Sequence, residues 1–423
     1  MKTKFISTEL GELPEDWNVV RLGDYAYIKA RIGWRALSSK EYTEKGPYLI
    51  AGNHIENGRV IWDRCQHITE ERYDESHEII LNERDIIISK DGTIGRVAYI
   101  DSLPGKATIN GTMMLIRIDE KSYDSRYVFQ YFQSNSFKKL VKAKVSGSSI
   151  PHIFQRDMVE FKIVKMPITE QKKIAEVLTT MDEAIEMAAG KIRKTEQLKK
   201  GLMQRLLTKG IGHTKFKKTE LGEIPEEWRI AELGDKNYFK IATGSTPVST
   251  QKDYWEEGNI NWATPKDLIG KYLGRTERRI NKKGLKNSNV SLVNEGSIIV
   301  STRAPIGLVA VAITEMTFNQ GCKAIIIIDN EVIDSEYLYY MVLTRVHAMQ
   351  KAGAGSTFME ISKENFEKIK VSIPSIIEQK KISKILKDID VQVEFEVKRK
   401  ERLEYLKNGL MNELLTGKKR RKI

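Results

Sequence analysis

Asp157 with Glu170-x-Lys172 has the carboxylate–carboxylate–lysine order with which a metal-dependent nuclease holds a cation and a phosphodiester. The spacing argues against that chemistry. Glu170 and Lys172 open a predicted helix, and a second, related stretch of the chain lacks the matching aspartate. "AGAGS" (Ala352 to Ser356) has the composition of a cofactor loop but follows a predicted helix, where such a loop should follow a strand. The chain has no G-x-x-x-x-G-K-[ST] phosphate loop and no (N/D)-P-P-(Y/F) motif, since it contains no Pro-Pro pair. His54, His67, His77, His152, His213 and His347 show no metal-ligand spacing. Cys65 and Cys322 each lack a cysteine or histidine at zinc spacing. We therefore expect no catalytic centre, and neither a metal nor a cofactor held by this chain.

The remaining chemistry is recognition. Arginine and lysine pair with guanine O6 and N7, asparagine and glutamine pair with adenine, and other cations hold phosphates. Residues of these types in or beside predicted turns are Asn53, His54, Asn57, Arg59, Lys90 and Arg96 in the first half. In the second half they are Lys266, Lys271, Arg275, Arg278 and Arg303. The small-residue loops Ser146 to Ser149 and Gly353 to Thr357 can approach a backbone closely or simply make turns. Bulk charge points the same way: 70 Lys+Arg against 57 Asp+Glu leave a net +13, the balance expected for a polyanionic partner such as DNA. The terminal "GKKRRKI" adds little, because such a run is usually solvated.

The elements that would position these residues are written twice. "TELGELPEDWNVVRLGD" (Thr8 to Asp24) returns as "TELGEIPEEWRIAELGD" (Thr219 to Asp235), and "ISKDGTIGRVAYI" (from Ile88) as "VSTRAPIGLVAVA" (from Val300). "PITEQKKIAEVL" from Pro167 matches "PSIIEQKKISKIL" from Pro374, and "LKKGLMQRLLTKG" matches "LKNGLMNELLTGK". A repeat this long is a duplicated module rather than a solenoid unit. Each copy reads as a mixed α+β part followed by a long helix. "EIIL", "DIIIS", "RVAYI" and "MMLIRI" predict strands, with "SIIVS", "LVAVAI" and "KAIIIID" as their partners in the second copy. "RYVFQYFQSNSFKKLVKAKV" and "SEYLYYMVLTRVHAMQKAG" each predict one helix with aromatics on its core face. Between these landmarks the copies diverge, as "AGNHIENGRVIWDRCQHITEERY" and "NWATPKDLIGKYLGRTERRINKK" show. A common frame with unlike inserts suits two modules that do one job on two targets. Trp17 and Trp228 lie in the frame and read as packing anchors.

After Pro167 and Pro374, apolar residues alternate in steps of four and three. They are Ile174, Leu178, Met181, Ile185, Ala188 and Ile192 in the first copy, and Ile382, Leu386, Ile389 and Val393 in the second. Glu396 and Lys400 interrupt the second stripe before Leu403 resumes it. A helix of about 38 residues spans about 57 Å, and one apolar stripe needs a partner. If the two helices pair antiparallel, each globular part is carried to an opposite end of one rod.

The order of these motifs resembles the specificity subunit of type I restriction–modification enzymes along essentially the whole chain. The resemblance implies an α+β fold with two target-recognition domains separated by a long antiparallel two-helix coiled coil, related by an internal pseudo-twofold repeat. Its expected boundaries are domain 1 at 1–165, helix 1 at 166–212, domain 2 at 213–373, and helix 2 with the basic tail at 374–423. It implies a non-catalytic chain that reads one half of a split site on double-stranded DNA with each domain. It also implies methyltransferase and restriction subunits as partners, with S-adenosylmethionine, ATP and Mg2+ bound on those partners. The other reading is a coiled-coil scaffold that binds DNA nonspecifically. Few cysteines, no signal-peptide pattern and no apolar run of about 20 residues lead us to expect a cytoplasmic chain that does not enter a membrane.

Overall fold

The computed structural model describes residues 4–30, 37, 39–146, 151–354 and 360–420. They form two compact units, one of Met1–Gly190 with Val397–Ile423 and one of Lys191–Glu396. Among the described residues, no helix is long and apolar enough to cross a membrane.

The first unit holds a four-stranded antiparallel sheet in the order Val97–Tyr99, Ile86–Ser89, Met113–Ile118, Ala26–Ala30. Its central strands are apolar at successive positions because both faces are covered. Ile86 and Ile88 enter one core with Met114 and Ile116, whereas Ile87 enters a second with Met113 and Leu115. The second unit repeats this sheet as Val309–Ala312, Ile298–Ser301, Cys322–Ile327, Phe239–Thr243, with Tyr272–Leu273 added parallel to Val309–Ala312. The same two-sided alternation recurs there, with Ile298 and Val300 in one core and Ile299 in the other.

The unlike inserts fold on one pairing scheme. In the first unit Thr43–Ile50 lies between Ala107–Ile109, parallel to it, and Gln66–His67, antiparallel. In the second unit Ile260–Ala263 lies between Met316–Phe318, parallel, and Arg278–Ile280, antiparallel. Two sequence expectations need correction. Glu78–Leu81 is not a strand; a 3-10 turn at His77–Ile79 buries Ile79, and Ile80 makes one bridge to Thr108. Each single helix expected after the sheet is two helices, Ser125–Phe132 with Asn135–Ser146 and Ser335–Leu343 with Val346–Gly353. At the second break the Thr344 hydroxyl donates to the Met341 carbonyl at 2.6 Å, the local competition that makes threonine a poor helix residue.

The long helices run Ile168–Lys209 and Ile376–Leu415. Each begins with a Glu-Gln pair that ties it to the sheet module before it. Trp17 Nε1 donates to Glu170 Oε2 at 3.3 Å, and Trp228 Nε1 to Glu378 Oε2 at 3.0 Å. Gln171 donates to the Met166 carbonyl at 2.9 Å and accepts from the Asp124 amide at 3.0 Å. Gln379 does the same with Pro374 and Asp334, both at 2.9 Å. Asp124 and Asp334 in turn cap the aromatic helices by accepting from the Tyr127 and Tyr337 amides.

Within each unit, the start of one long helix packs beside the end of the other, antiparallel. In the first unit Ile174 and Leu178 share a core with Met411 and Leu415, and Asp182 pairs with Lys407 at 2.5 Å. In the second, Ile382 and Leu386 share a core with Leu206 and Leu207, and Asp390 pairs with Lys199 at 2.6 Å. The aromatic helix joins each ion pair, through Gln130 to Asp182 at 2.7 Å and through Tyr340 to Asp390 at 2.5 Å. Glu396, one of the polar residues on the second stripe, pairs with Lys191 at 3.5 Å.

Gln379 is fully buried, and leucine in its place would strip its side-chain bonds and orphan buried backbone groups. The expected cost is about 2–4 kcal/mol. It should appear as faster amide exchange at Tyr337 and Leu338, with Tyr127 and Val128 unchanged. Unaltered protection at Tyr337 would refute the role given to this glutamine.

Candidate nucleic-acid interface

The turn after the second sheet strand is built alike in both units. Ser89 Oγ accepts from the Arg96 amide at 2.9 Å and donates to the Thr93 carbonyl. Ser301 Oγ accepts from the Leu308 amide at 2.8 Å and donates to the Pro305 carbonyl at 2.7 Å. Gly95 and Gly307 have φ of +80° and +97°, and a Cβ at either would strike Val141 or Val346 of the helix behind. A returning strap closes each turn: the Ile153 amide donates to the Lys90 carbonyl at 3.1 Å, and the Ile361 amide to the Thr302 carbonyl at 2.9 Å.

On this common frame the carboxylate changes sides. In the first unit Asp91 on the turn pairs with His152 on the strap, and Lys90 Nζ lies 2.9 Å from Asp91. In the second unit Arg303 on the turn pairs with Glu360 on the strap at 2.8 Å. Lys323 lies beneath it, donating to the Ile361 carbonyl at 2.7 Å and the Thr302 hydroxyl at 3.2 Å. Met114 occupies the equivalent strand position in the first unit, opposite Ile88 as Lys323 is opposite Val300. Burial pushes the Lys323 ammonium below the ordinary lysine range.

Of the first-unit residues proposed from sequence, Asn53, Asn57, Arg59 and Arg96 are exposed. Asn57 and Gly58, with φ of +49° and +78°, form the tight turn between Ile55–Glu56 and Arg59–Val60. Asn-Gly is the sequence signal for such a hairpin, so Asn57 shapes the turn as well as facing solvent. Arg96 ties this hairpin to the Gly52 turn by donating to the carbonyls of Gly52 at 3.4 Å and Ile55 at 3.3 Å. Asn57, Arg59 and Gly95 also line a groove of about 710 Å3 whose walls include Phe137, Val141 and Ile185. His54 and Lys90 differ from the expectation of solvent-facing readers. His54 is buried, its Nδ1 accepts from the Ala51 amide at 3.1 Å, and burial holds its pKa below the usual histidine value. Lys90 is buried against Asp91.

In the second unit Lys266, Arg275 and Arg278 are exposed. Arg303 is engaged by Glu360. Lys271 turns inward: its Nζ lies 2.5 Å from Glu336 and 2.8 Å from the Tyr340 hydroxyl, and burial lowers its pKa. It pins the insert to the helical side of the unit instead of presenting a cation to solvent. The Arg278 guanidinium stacks 3.6 Å from the Trp255 ring centroid and 5.2 Å from that of Trp262. The nuclease-like order is dispersed into structural contacts. Asp157 pairs with Lys144 at 2.8 Å and accepts from the Phe154 amide at 2.9 Å, while Glu170 receives Trp17 and Arg420. No group of three His, Cys, Asp or Glu side chains suited to a metal occurs among the described residues. Loop residues 147–149 and 355–357, including the end of "AGAGS", lie outside the described residues.

The model of the type I restriction modification DNA specificity domain matches the chain twice, over residues 14–197 and 225–405. The putative type I restriction enzyme MjaX specificity subunit of Methanocaldococcus jannaschii is 33% identical over 98% of this chain and 96% of its own. The MjaVIII specificity subunit of the same organism is 31% identical over 96% of this chain and 93% of its own. Among solved structures, the S subunit of a type I restriction–modification system from M. genitalium aligns with a TM-score of 0.60 at 16% identity, covering 98% of this chain and 99% of that one. Both copies of the doubled frame thus match one family model: the chain belongs to the type I restriction–modification DNA specificity family.

Proposed function

We propose that this chain is the non-catalytic DNA-reading subunit of a type I restriction–modification complex, and that each unit reads one half of a split duplex site. The observation that carries this reading is the pairing of an invariant frame with unlike inserts. Both units keep the Trp–Glu–Gln lock, the Ser-centred turn and the sheet order, while the residues exposed on the inserts share no pattern. The long helices, of 42 and 40 residues, act as the ruler between the half-sites by pairing as a coiled coil. They carry exposed apolar side chains, among them Met187, Val391, Phe395 and Tyr405, which suits docking of methyltransferase and restriction subunits. S-adenosylmethionine then belongs to the methyltransferase partners, and ATP with Mg2+ to the motor-nuclease.

Replacing residues 25–160 with the equivalent domain of another family member should change one half-site and leave the other intact. Methylated-base mapping in cells carrying the hybrid checks this, and a change in both half-sites would defeat the two-reader arrangement. The ruler is tested by inserting four residues between Gly190 and Lys191 and four between Glu396 and Val397, where the units divide. One helical turn adds about 5.4 Å, against about 3.4 Å per base pair, so the gap should lengthen by about one to two base pairs. Intact half-sites at an unchanged gap would mean that the helices do not set the spacing. The purified chain alone should show no methylation, cleavage or ATP hydrolysis. Turnover that follows the chain through successive purification steps would overturn the non-catalytic assignment.

A further inference from the structure

The exposed cations of the second unit are not equivalent. Arg303 is neutralised by Glu360 and Lys271 by Glu336. Lys252, Lys266, Arg275, Arg278, Lys282 and Lys286 are exposed, and none has a carboxylate partner among the described residues. Five of these are plain surface cations, whose charge suffices for phosphates whatever their orientation. Arg278 alone is stacked.

Its platform is anchored on both sides. Trp262 is buried, and its Nε1 donates to the Ser245 carbonyl at 3.0 Å. Trp255 meets Trp262 edge-on at 5.1 Å and donates to the Val248 carbonyl at 3.4 Å. The backbone of Arg278 is paired to Trp262 in the strand register, and its carbonyl accepts from Thr276 Oγ1 at 2.6 Å. Stacking occupies the face of a guanidinium, but all five of its N–H groups lie in the plane. None of these is donated to a protein acceptor among the described residues. The result is an oriented, unspent hydrogen-bond fork with little rotamer freedom left to lose on binding.

The corresponding position of the first unit is fixed by register. Trp262 lies opposite Thr317 and Arg278, as Leu49 lies opposite Thr108 and Gln66. One strand position therefore carries arginine in one unit and glutamine in the other. Those are side chains that make bidentate contacts to guanine and adenine respectively in the major groove.

The geometry points to Arg278 as a specificity-determining residue that reads a guanine through O6 and N7 in the half-site of the second unit. This rests on the DNA-reading role proposed above. The test is selection from a library of random duplex DNA by the full-length chain, followed by the R278K and R278Q variants. Circular dichroism and thermal melting confirm that the exposed substitutions leave the fold intact. Wild type should require guanine at one position of one half-site. R278Q should lower that preference about 5- to 150-fold, the range for one bidentate pair, while the other half-site is kept, and R278K should lower it less. R278Q is decisive because lysine can still meet guanine O6 and N7, whereas glutamine pairs with adenine. Retained guanine preference in R278Q, or an equal loss on all sequences in both variants, assigns Arg278 to phosphate and overturns the inference. A wild-type half-site without guanine overturns it while leaving the DNA-reading role intact. A wild-type chain with no sequence preference removes that role and the inference with it.

Discussion

A carboxylate drawn into the protein at the start of each long helix, buried at Glu170 and half-buried at Glu378, is the constraint on which the rest of the structure depends. Glu170 is almost wholly withdrawn from water, so its charge must be met inside the protein. The helix amides supply part of the compensation, since a carboxylate suits the first turn. Trp17 supplies an indole N–H, and Arg420 supplies two charge-assisted contacts at 3.0 Å while also gripping Asp16 at 2.8 Å. The Arg420 guanidinium holds the Asp16 carboxyl below its ordinary range. Glu378 is met differently, by Trp228, by His213 Nε2 at 2.9 Å and by the Ile211 amide at 2.9 Å. In both units the last partner arrives from just beyond the end of the opposite long helix. One carboxylate thus fixes the sheet module, the helix that follows it and the helix that returns to it.

This explains what was legible in the sequence. The Glu-Gln phrase, the tryptophans and the closing glycines recur because each has a partner in the lock. Gly210 and Gly417 have φ of +65° and +70°; a Cβ at Gly210 would collide with the Trp228 ring, and one at Gly417 would collide with Pro14 and crowd the Trp17 ring. The central strands were legible because two-sided burial leaves continuous apolar runs. The helix breaks after Phe132 and Leu343 were not, because the apolar spacing continues across them. Glu78–Leu81 misled for a related reason, since burial from a turn and burial from a strand call for the same residue types.

The candidate interface was less legible, for a physical reason. Residue type marks a cation but not its environment. Lys271 and Lys90 look like surface readers in the sequence, yet Lys90 is buried against Asp91 and Lys271 is half-buried against Glu336. His54 is likewise enclosed. The inserts hide the opposite fact: "YLI" and "NWA" have no resemblance, yet both are centre strands of the same parallel-and-antiparallel pairing. Backbone hydrogen bonds keep the scheme and leave the side chains free to differ. The exchanged partners at the turn show the same separation of frame from content, because a carboxylate closes the strap from the turn in one unit and from the strap in the other.

The first unit is assembled from residues up to 190 and residues from 397 onward, whereas the second is continuous in sequence. On the ribosome, the module made first must wait, with Glu170 lacking Arg420 and Trp17 lacking the cover of Gly417, until the whole of the second has been synthesised. At roughly 5–20 residues per second, the more than two hundred intervening residues impose a delay on the order of ten seconds or more. The second unit has its contiguous stretch in hand first, before the last residues of the first unit are made. A chain broken off within the second module would leave its first reader open at the lock, a built-in mark by which incomplete products differ from finished ones before any partner or DNA is met.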